Sequence, residues 1–284
     1  MTAACLYIVS TPIGNLGDIS ARALETLQSV ELIAAEDTRH SARLLQHFGI
    51  TTPMWALHDH NERAQADRIV QRLSEGANIA LISDAGTPLI SDPGFHLVRA
   101  VRHAGFRVVP VPGACALIAA LSASGLPTDR FAFEGFVPAK NQARLQRLQA
   151  VAEDTRTLMF YESPHRLLET LRAMLEVFGP DRYLVLAREL TKTFETIHGD
   201  SLGNLIEWVE ADANQQKGEF VLLLQGAEPA VEGADLGTEE RRVLSLLLEE
   251  LSVKQASALA AKICSGKKKQ FYQAALAMRA DNDR

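Results

Sequence analysis

Four short apolar runs in the first 113 residues each end in a turn of small and polar residues and then give way to a helical stretch. That rhythm constrains the fold more than any other feature of the chain. Residues 6–9 run into Ser10-Thr11-Pro12-Ile13-Gly14-Asn15-Leu16-Gly17, and Ser20 opens a helix to about residue 29. Residues 30–35 give way to Glu36-Asp37-Thr38-Arg39 and a helix through about residue 48. After a helix over 62–75, the third run, 77–83, ends in Ser83-Asp84-Ala85-Gly86-Thr87-Pro88, followed by Ser91-Asp92-Pro93-Gly94 and a helix to 104. The fourth, 107–111, meets Pro112-Gly113 and a helix of small residues. Strands alternating with helices predict a largely parallel sheet. Open sheets of this kind bind ligands at the carboxyl ends of their strands, where these polar turns stand.

Beyond a boundary within 114–128 the pattern changes. Strands are expected over 131–136, 157–161, 183–187, 193–198 and 219–224, with helices over 139–152, 165–178 and 201–210. The expectation is two α/β domains, 1–113 and 114–226, the second with mixed strand directions, then an acidic linker over 227–237 and a basic helical tail over 238–284. At 284 residues a single small module is excluded. Apolar residues at 47 % and charged residues at 23 % exclude a disordered or coiled-coil chain. A net charge of −6 excludes a global polycation. Between residues 251 and 280, however, Lys254, Lys262, Lys267, Lys268, Lys269 and Arg279 stand without an acidic residue, so any nucleic-acid surface is local.

The longest uncharged stretch, 108–128, is broken by three prolines and two glycines and does not read as a membrane span. The N-terminus lacks the basic start of a secretory signal. Cys5, Cys115 and Cys264 show neither disulfide pairing nor metal-ligand spacing, which points to a reducing cytoplasm. His58-Asp59-His60-Asn61 resembles a metal cluster, but alternation along a strand would send the histidines to opposite faces, and no metal is expected. Gly14 to Gly17 supplies only a fragment of a dinucleotide fingerprint, and Gly266-Lys267-Lys268 fails the phosphate-loop pattern.

Each polar turn admits a structural reading beside a functional one. Glu36 and Asp37 could be an acid/base pair, or could pair with Arg39 or Arg43 or cap the next helix. In Tyr161-Glu162-Ser163-Pro164-His165-Arg166, Ser163 is expected to cap a helix with Pro164 in its first position. Arg188-Glu189-Leu190-Thr191-Lys192 and Gly218-Glu219-Phe220 could be site elements or surface ion pairs.

Taken in order, the motifs from Leu6-Tyr7-Ile8-Val9 and Thr11-Pro12-Ile13-Gly14-Asn15-Leu16 through Ala35-Glu36-Asp37-Thr38-Arg39, Ser83-Asp84-Ala85-Gly86-Thr87-Pro88, Phe160-Tyr161-Glu162-Ser163-Pro164-His165-Arg166 and Ala187-Arg188-Glu189-Leu190-Thr191-Lys192 resemble the ribosomal RNA small subunit methyltransferase I family. That family lies within the tetrapyrrole methylase superfamily, and the resemblance spans residues 6–272. It implies S-adenosyl-L-methionine folded into a cleft between the two α/β domains, a homodimer, and 2′-O-methylation of a cytidine ribose in the decoding region of small-subunit ribosomal RNA. Carried over, the cofactor contacts are Pro12, Asp84, Ala85, Gly86, Thr87, Cys115, Ala116, Tyr161, Ala187, Arg188, Glu219 and Phe220. Ser83-Asp84-Ala85 departs from the superfamily's usual Gly-Asp-Pro, keeping only the aspartate.

Methyl transfer to a hydroxyl asks for positioning and for somewhere to put a proton. Glu36, Asp37, Glu162 and Glu189 are the candidate bases, although water could be the final acceptor. Arg39, Arg166, Arg188 and Lys192 are candidates for holding phosphates or orienting a carboxylate. Lys267, Lys268 and Lys269 are the candidate RNA contacts in the tail, while Phe271 and Tyr272 read more simply as core. Competing readings are a tetrapyrrole-type small-molecule methyltransferase and a noncatalytic nucleotide-binding regulator.

Overall fold

The computed structural model describes residues 4–228 and 236–282. It falls into two compact units, Met1–Gly226 and Ala227–Arg284.

The first unit opens with β1 (Cys5–Val9), α1 (Ala21–Ser29), β2 (Leu32–Ala35), α2 (Thr38–His47), β3 (Met54–Ala56), α3 (Glu62–Ser74), β4 (Ile79–Ile82), α4 (Phe95–His103) and β5 (Arg107–Val111). The strands form one parallel sheet in the order β3-β2-β4-β1-β5. Alternation explains why these runs are apolar throughout. Leu32 and Ala34 of β2 face one core with Ile79 and Leu81 of β4, while Ile33 and Ala35 face the opposite core with Ala80 and Ile82. Both faces are covered by helices, as a parallel sheet requires. The Ser20 hydroxyl caps α1 by accepting from the Ala23 amide at 3.1 Å. Strand β3, a run of three residues directly following Pro53, was not anticipated, because so short a run carries no periodicity.

The chain continues with α5 (Ala116–Ser124), β6 (Phe131–Phe136), α6 (Asn141–Gln149), β7 (Thr157–Glu162), α7 (Leu167–Phe178), β8 (Tyr183–Arg188), β9 (Thr196–Ser201), α8 (Leu202–Ala211) and β10 (Phe220–Leu224). This second sheet has the order β6-β7-β10-β8-β9, parallel only between β6 and β7. The expected mixed directions are present. One face packs on α6, α7 and α8 through Leu148, Leu171 and Leu205. The other receives Leu117, Ala120 and Leu121 of α5 against Met159, Val185 and Val221, so the helix leaving the first sheet belongs to the core of the second.

Two expectations shift. Strand β9 starts three residues later than the sequence suggests, because Glu189 and Thr191 take left-handed backbone conformations and the chain turns first. Helix α7 starts at Leu167, and Ser163 does not cap it; the Ser163 hydroxyl and amide turn back to the Glu162 carboxylate instead.

The second unit holds α9 (Thr238–Glu250), α10 (Val253–Ile263) and α11 (Lys268–Asn282), packed around Leu244, Ala256, Ala260, Phe271 and Ala275. Ser252 and Gln255 form a reciprocal cap at the start of α10. Most of the expected linker, 229–235, lies outside the described residues. No helix among the described residues is long and apolar enough to cross a membrane.

Candidate active site

In the sheet order, β2, β4, β1 and β5 are consecutive neighbours, so the turns that follow them emerge side by side at one edge. They are also tied together. The amides of Thr11 and Gly86 exchange hydrogen bonds with each other's carbonyls, at 2.8 and 3.1 Å. The Ser10 and Thr87 hydroxyls are 2.9 Å apart, and Thr87 donates onward to the Ala114 carbonyl at 2.9 Å. The turns after β1, β4 and β5 therefore form a single floor. Gly86 has φ +83°, and a Cβ there would press on Ile13 at 3.2 Å, so the tie needs the glycine.

Above this floor lies a cleft of about 500 Å³, walled on its far side by the ends of β6, β7 and β10. That size suits a small organic ligand. Its lining includes Ile13, Leu190, Phe220 and Val221 as apolar surface, Phe136 as a half-exposed ring, and five carboxyl residues: Glu36, Asp84, Asp92, Glu162 and Glu219. No lysine, arginine or histidine is among the described lining residues.

The five carboxyls are not equivalent. Glu162 is buried; one oxygen accepts from the Ser163 amide at 2.7 Å and from two Arg166 nitrogens at 3.1 and 2.8 Å, and the other accepts from Thr170 Oγ1 at 2.6 Å. Glu219 meets the Lys192 ammonium, which also pairs with Glu189 at 2.9 Å. Asp84 accepts from the Asp37 amide at 3.0 Å, locking the end of β4 to the end of β2. Among the described residues no cation pairs with Glu36. Burial, followed by repulsion from Asp92 and Asp84, pushes its carboxyl up to about 7, with a hydrogen bond from the Asp84 amide opposing. Asp92 is pushed up to about 6, again by burial first and then by Asp84 and Asp59, with the Ser83 hydroxyl opposing. Burial also holds the Tyr161 phenol well above its ordinary range, helped by the Cys115 thiol, while its oxygen accepts from the Leu117 amide at 3.2 Å.

Comparison with known proteins decides the lineage. The model of the tetrapyrrole (corrin/porphyrin) methylases matches residues 5–206, and that of the RsmI C-terminal HTH domain matches residues 234–279. The chain is 61 % identical to ribosomal RNA small subunit methyltransferase I of Pseudomonas aeruginosa, covering 97 % of this chain and 98 % of that one. It belongs to the ribosomal RNA small subunit methyltransferase I family. The Synechocystis member is 50 % identical, over 97 % of this chain and 99 % of its own. Among solved structures, uroporphyrin-III-C-methyltransferase from Thermus thermophilus superposes with a TM-score of 0.55 at 22 % identity, covering 78 % of this chain and 94 % of that one. Diphthine synthase gives 0.59 at 16 %, covering 78 % and 90 %. These two share the fold.

Membership in the methyltransferase I family brings S-adenosyl-L-methionine as methyl donor. The cleft suits it: apolar surface for a nucleoside and carboxylates without a lining cation for a sulfonium. Of the residues expected from the sequence, Asp84, Ala85, Gly86, Thr87, Cys115, Ala116, Tyr161, Glu219 and Phe220 line this cleft, as do Glu36 and Glu162. Pro12 is buried beside Ile13, outside the lining. Ala187 is buried in the second sheet. Arg188 and Glu189 face a separate cavity with Phe194 and Lys217, where Arg188 donates to the Lys217 and Phe194 carbonyls at 2.7 and 3.0 Å. Burial would raise Glu189, but Lys192 and the Glu219 amide outweigh it and leave its carboxyl below the usual range. Asp37 caps α2 and pairs with Arg39 at 3.2 Å, which keeps its carboxyl below the ordinary range. Arg166 is held by Glu162 and by the Val137 carbonyl.

In the tail, Phe271 is fully buried, Tyr272 is open, and Lys267, Lys268 and Lys269 are exposed at the head of α11. His58 and His60 sit in a turn after β3, not on a strand, with ring centroids 6.0 Å apart; no metal-binding cluster is present among the described residues. The sequence reading passed over Asp92 and Phe136. The only signal for Asp92 was the repeated Ser-Asp pair, eight residues after Ser83-Asp84.

Proposed function

We propose that this protein transfers a methyl group from S-adenosyl-L-methionine to the 2′-oxygen of a cytidine ribose in the decoding region of small-subunit ribosomal RNA. The RNA is presented in an assembled cytoplasmic particle, and the chain acts as a homodimer. The observation that carries this reading is the full-length likeness: relatives named ribosomal RNA small subunit methyltransferase I match both units of the chain.

When bound, the donor supplies an electrophilic methyl group. Asp84, Ala85, Gly86, Thr87, Cys115, Ala116, Tyr161, Glu219 and Phe220 are the residues we assign to holding it, with residues 1–113 and 114–226 acting as the two domains about the cleft. Positioning is then the main work, since an aligned nucleophile needs little further help. The acceptor hydroxyl must still lose its proton, and Glu36 is the group we assign to take it. Its carboxyl near 7 matches the pH at which a general base works best. Glu162, whose oxygens are already taken up by Arg166 and Thr170, instead supports the wall. In the second unit the second helix of a helix-turn-helix pair presents its N-terminal residues to nucleic acid, and Lys267, Lys268 and Lys269 stand at that end of α11. A tetrapyrrole acceptor would leave these lysines without a task.

The test is transfer of labelled methyl to small ribosomal subunits from cells lacking this protein, with the product digested to nucleosides. Label in 2′-O-methylcytidine supports the reading. Label in another nucleoside, or only in small-molecule acceptors, overturns it.

A further inference from the structure

Asp92 occupies a place that the backbone goes to some trouble to create. After β4 the chain runs through Ser83 to Thr87 across the floor and then doubles back, with Leu89 at φ +75° and Ser91 at φ +67°. Neither is a glycine, and left-handed conformations at such residues are strained. The return is closed at Gly94, φ +134°, where a Cβ would come within 2.9 Å of Leu81 in β4. The loop is thus pinned against the strand it has just left, and Asp92 lies between the two left-handed residues and that pin, lining the cleft.

The sheet register fixes what lies beside Ser83. Ala35 of β2 pairs with Ile82 of β4, so the next residues along, Glu36 and Ser83, are neighbours at the carboxyl edge. The Ser83 hydroxyl donates to the Ala85 carbonyl at 3.3 Å and stands beside the Asp92 carboxyl, which it holds down against the effect of burial. Ser83 therefore links Asp92 to the strand end where Glu36 stands. The charged groups acting on Glu36 are Asp92, Asp84 and Asp59, and those acting on Asp92 are Asp84 and Asp59. All are acidic.

Building on the assignment of Glu36 as proton acceptor, we infer that Asp92 is the positioning residue for that base: a second carboxylate, held by Ser83 and the pinned loop, that makes Glu36 able to take the proton from the acceptor hydroxyl. The balance is simple. The hydroxyl O–H bond breaks as the new O–CH₃ bond forms, the proton passes to a Glu36 oxygen, and the electron pair of the broken C–S bond leaves with the spent donor. One positive charge enters the cleft with the donor and one leaves as the proton. Asp92 touches neither reacting atom. It acts by its charge, which favours the protonated form of its neighbour. Replacing it by an amide keeps the shape and removes that push.

The experiment follows Glu36 directly, by carbon-13 carboxyl titration of the cofactor-free protein, assigned with Glu36→Gln, alongside pH profiles of methyl transfer to small subunits. In Asp92→Asn the Glu36 midpoint should fall by at least about half a pH unit, and the acidic limb of the rate profile should move down with it while the plateau drops. Asp92→Glu should restore both. Thermal unfolding and donor binding by calorimetry establish that each variant is folded and still loads. An unmoved Glu36 midpoint in a folded Asp92→Asn overturns the inference. If Glu36→Gln keeps its full rate, the base assignment itself fails; if Glu36→Gln is inactive but the Asp92→Asn profile is unshifted, only the role of Asp92 fails.

Discussion

Glu36 and Glu162 hold equivalent posts on opposite walls of one cleft. Each comes at the carboxyl end of a buried strand, β2 and β7, and each lines the cavity. Their surroundings differ completely. Around Glu162 the fold supplies a guanidinium, a hydroxyl and an amide. Around Glu36 it supplies one amide, that of Asp84, and the carboxylates of Asp92, Asp84 and Asp59. Two identical side chains are thereby given opposite tasks, one tied up by its partners and bracing the turn before α7, the other left poised to gain and lose a proton. The chemistry of a carboxyl in this molecule is decided by its neighbours, not by its position on the sheet.

The contrast can be broken from either side. The largest effect on rate is expected for Glu36→Gln, a loss of about 10²- to 10⁴-fold in methyl transfer with donor binding retained, measured under saturating donor. The reverse pattern is expected at Glu162. Its removal by Glu162→Ala strands the Arg166 guanidinium and should cost about 3–5 kcal/mol of stability by denaturant titration. Replacing Lys267, Lys268 and Lys269 together by alanine should weaken binding to ribosomal RNA and reduce the slope of log affinity against log salt by roughly 2, with donor binding unchanged.

The smallest effect sharpens the comparison by sign. Glu36 titrates higher in the folded state than in the unfolded chain, so its contribution is fully present at low pH and is lost as pH rises toward 7. Wild type should therefore fall behind Glu36→Gln in stability between about pH 4.5 and 7.5, by on the order of 1 kcal/mol once solvent screening of a half-buried group is allowed for. Parallel denaturant curves across that range would show it.

What the sequence discloses and what it withholds differ by range. Apolar runs and the turns that end them are local, so the strands bearing Glu36 and Ser83-Asp84 are legible as strands with polar ends. Strand order is not local. That β2 lies beside β4, placing the Asp37 amide on Asp84, follows from packing that no spacing in the chain announces. The loop carrying Asp92 was opaque for a related reason: its left-handed turns fall on Leu89 and Ser91, residues that give no hint of such backbone. Glu162 was half legible. Arg166 stands four residues on, at helical spacing, but Thr170 closes the other oxygen only because α7 begins late and folds back over the strand end.

The mutual hydrogen bonds of Thr11 and Gly86, with the Ser10, Thr87 and Ala114 contacts beside them, have a kinetic meaning. A floor already stitched together in the folded chain has no loops to gather when a ligand arrives. Arrival should then be paced by diffusion and desolvation rather than by rearrangement of these turns, and any slow step of adaptation falls to the opposite wall, where Phe136 stands half exposed at the end of an edge strand.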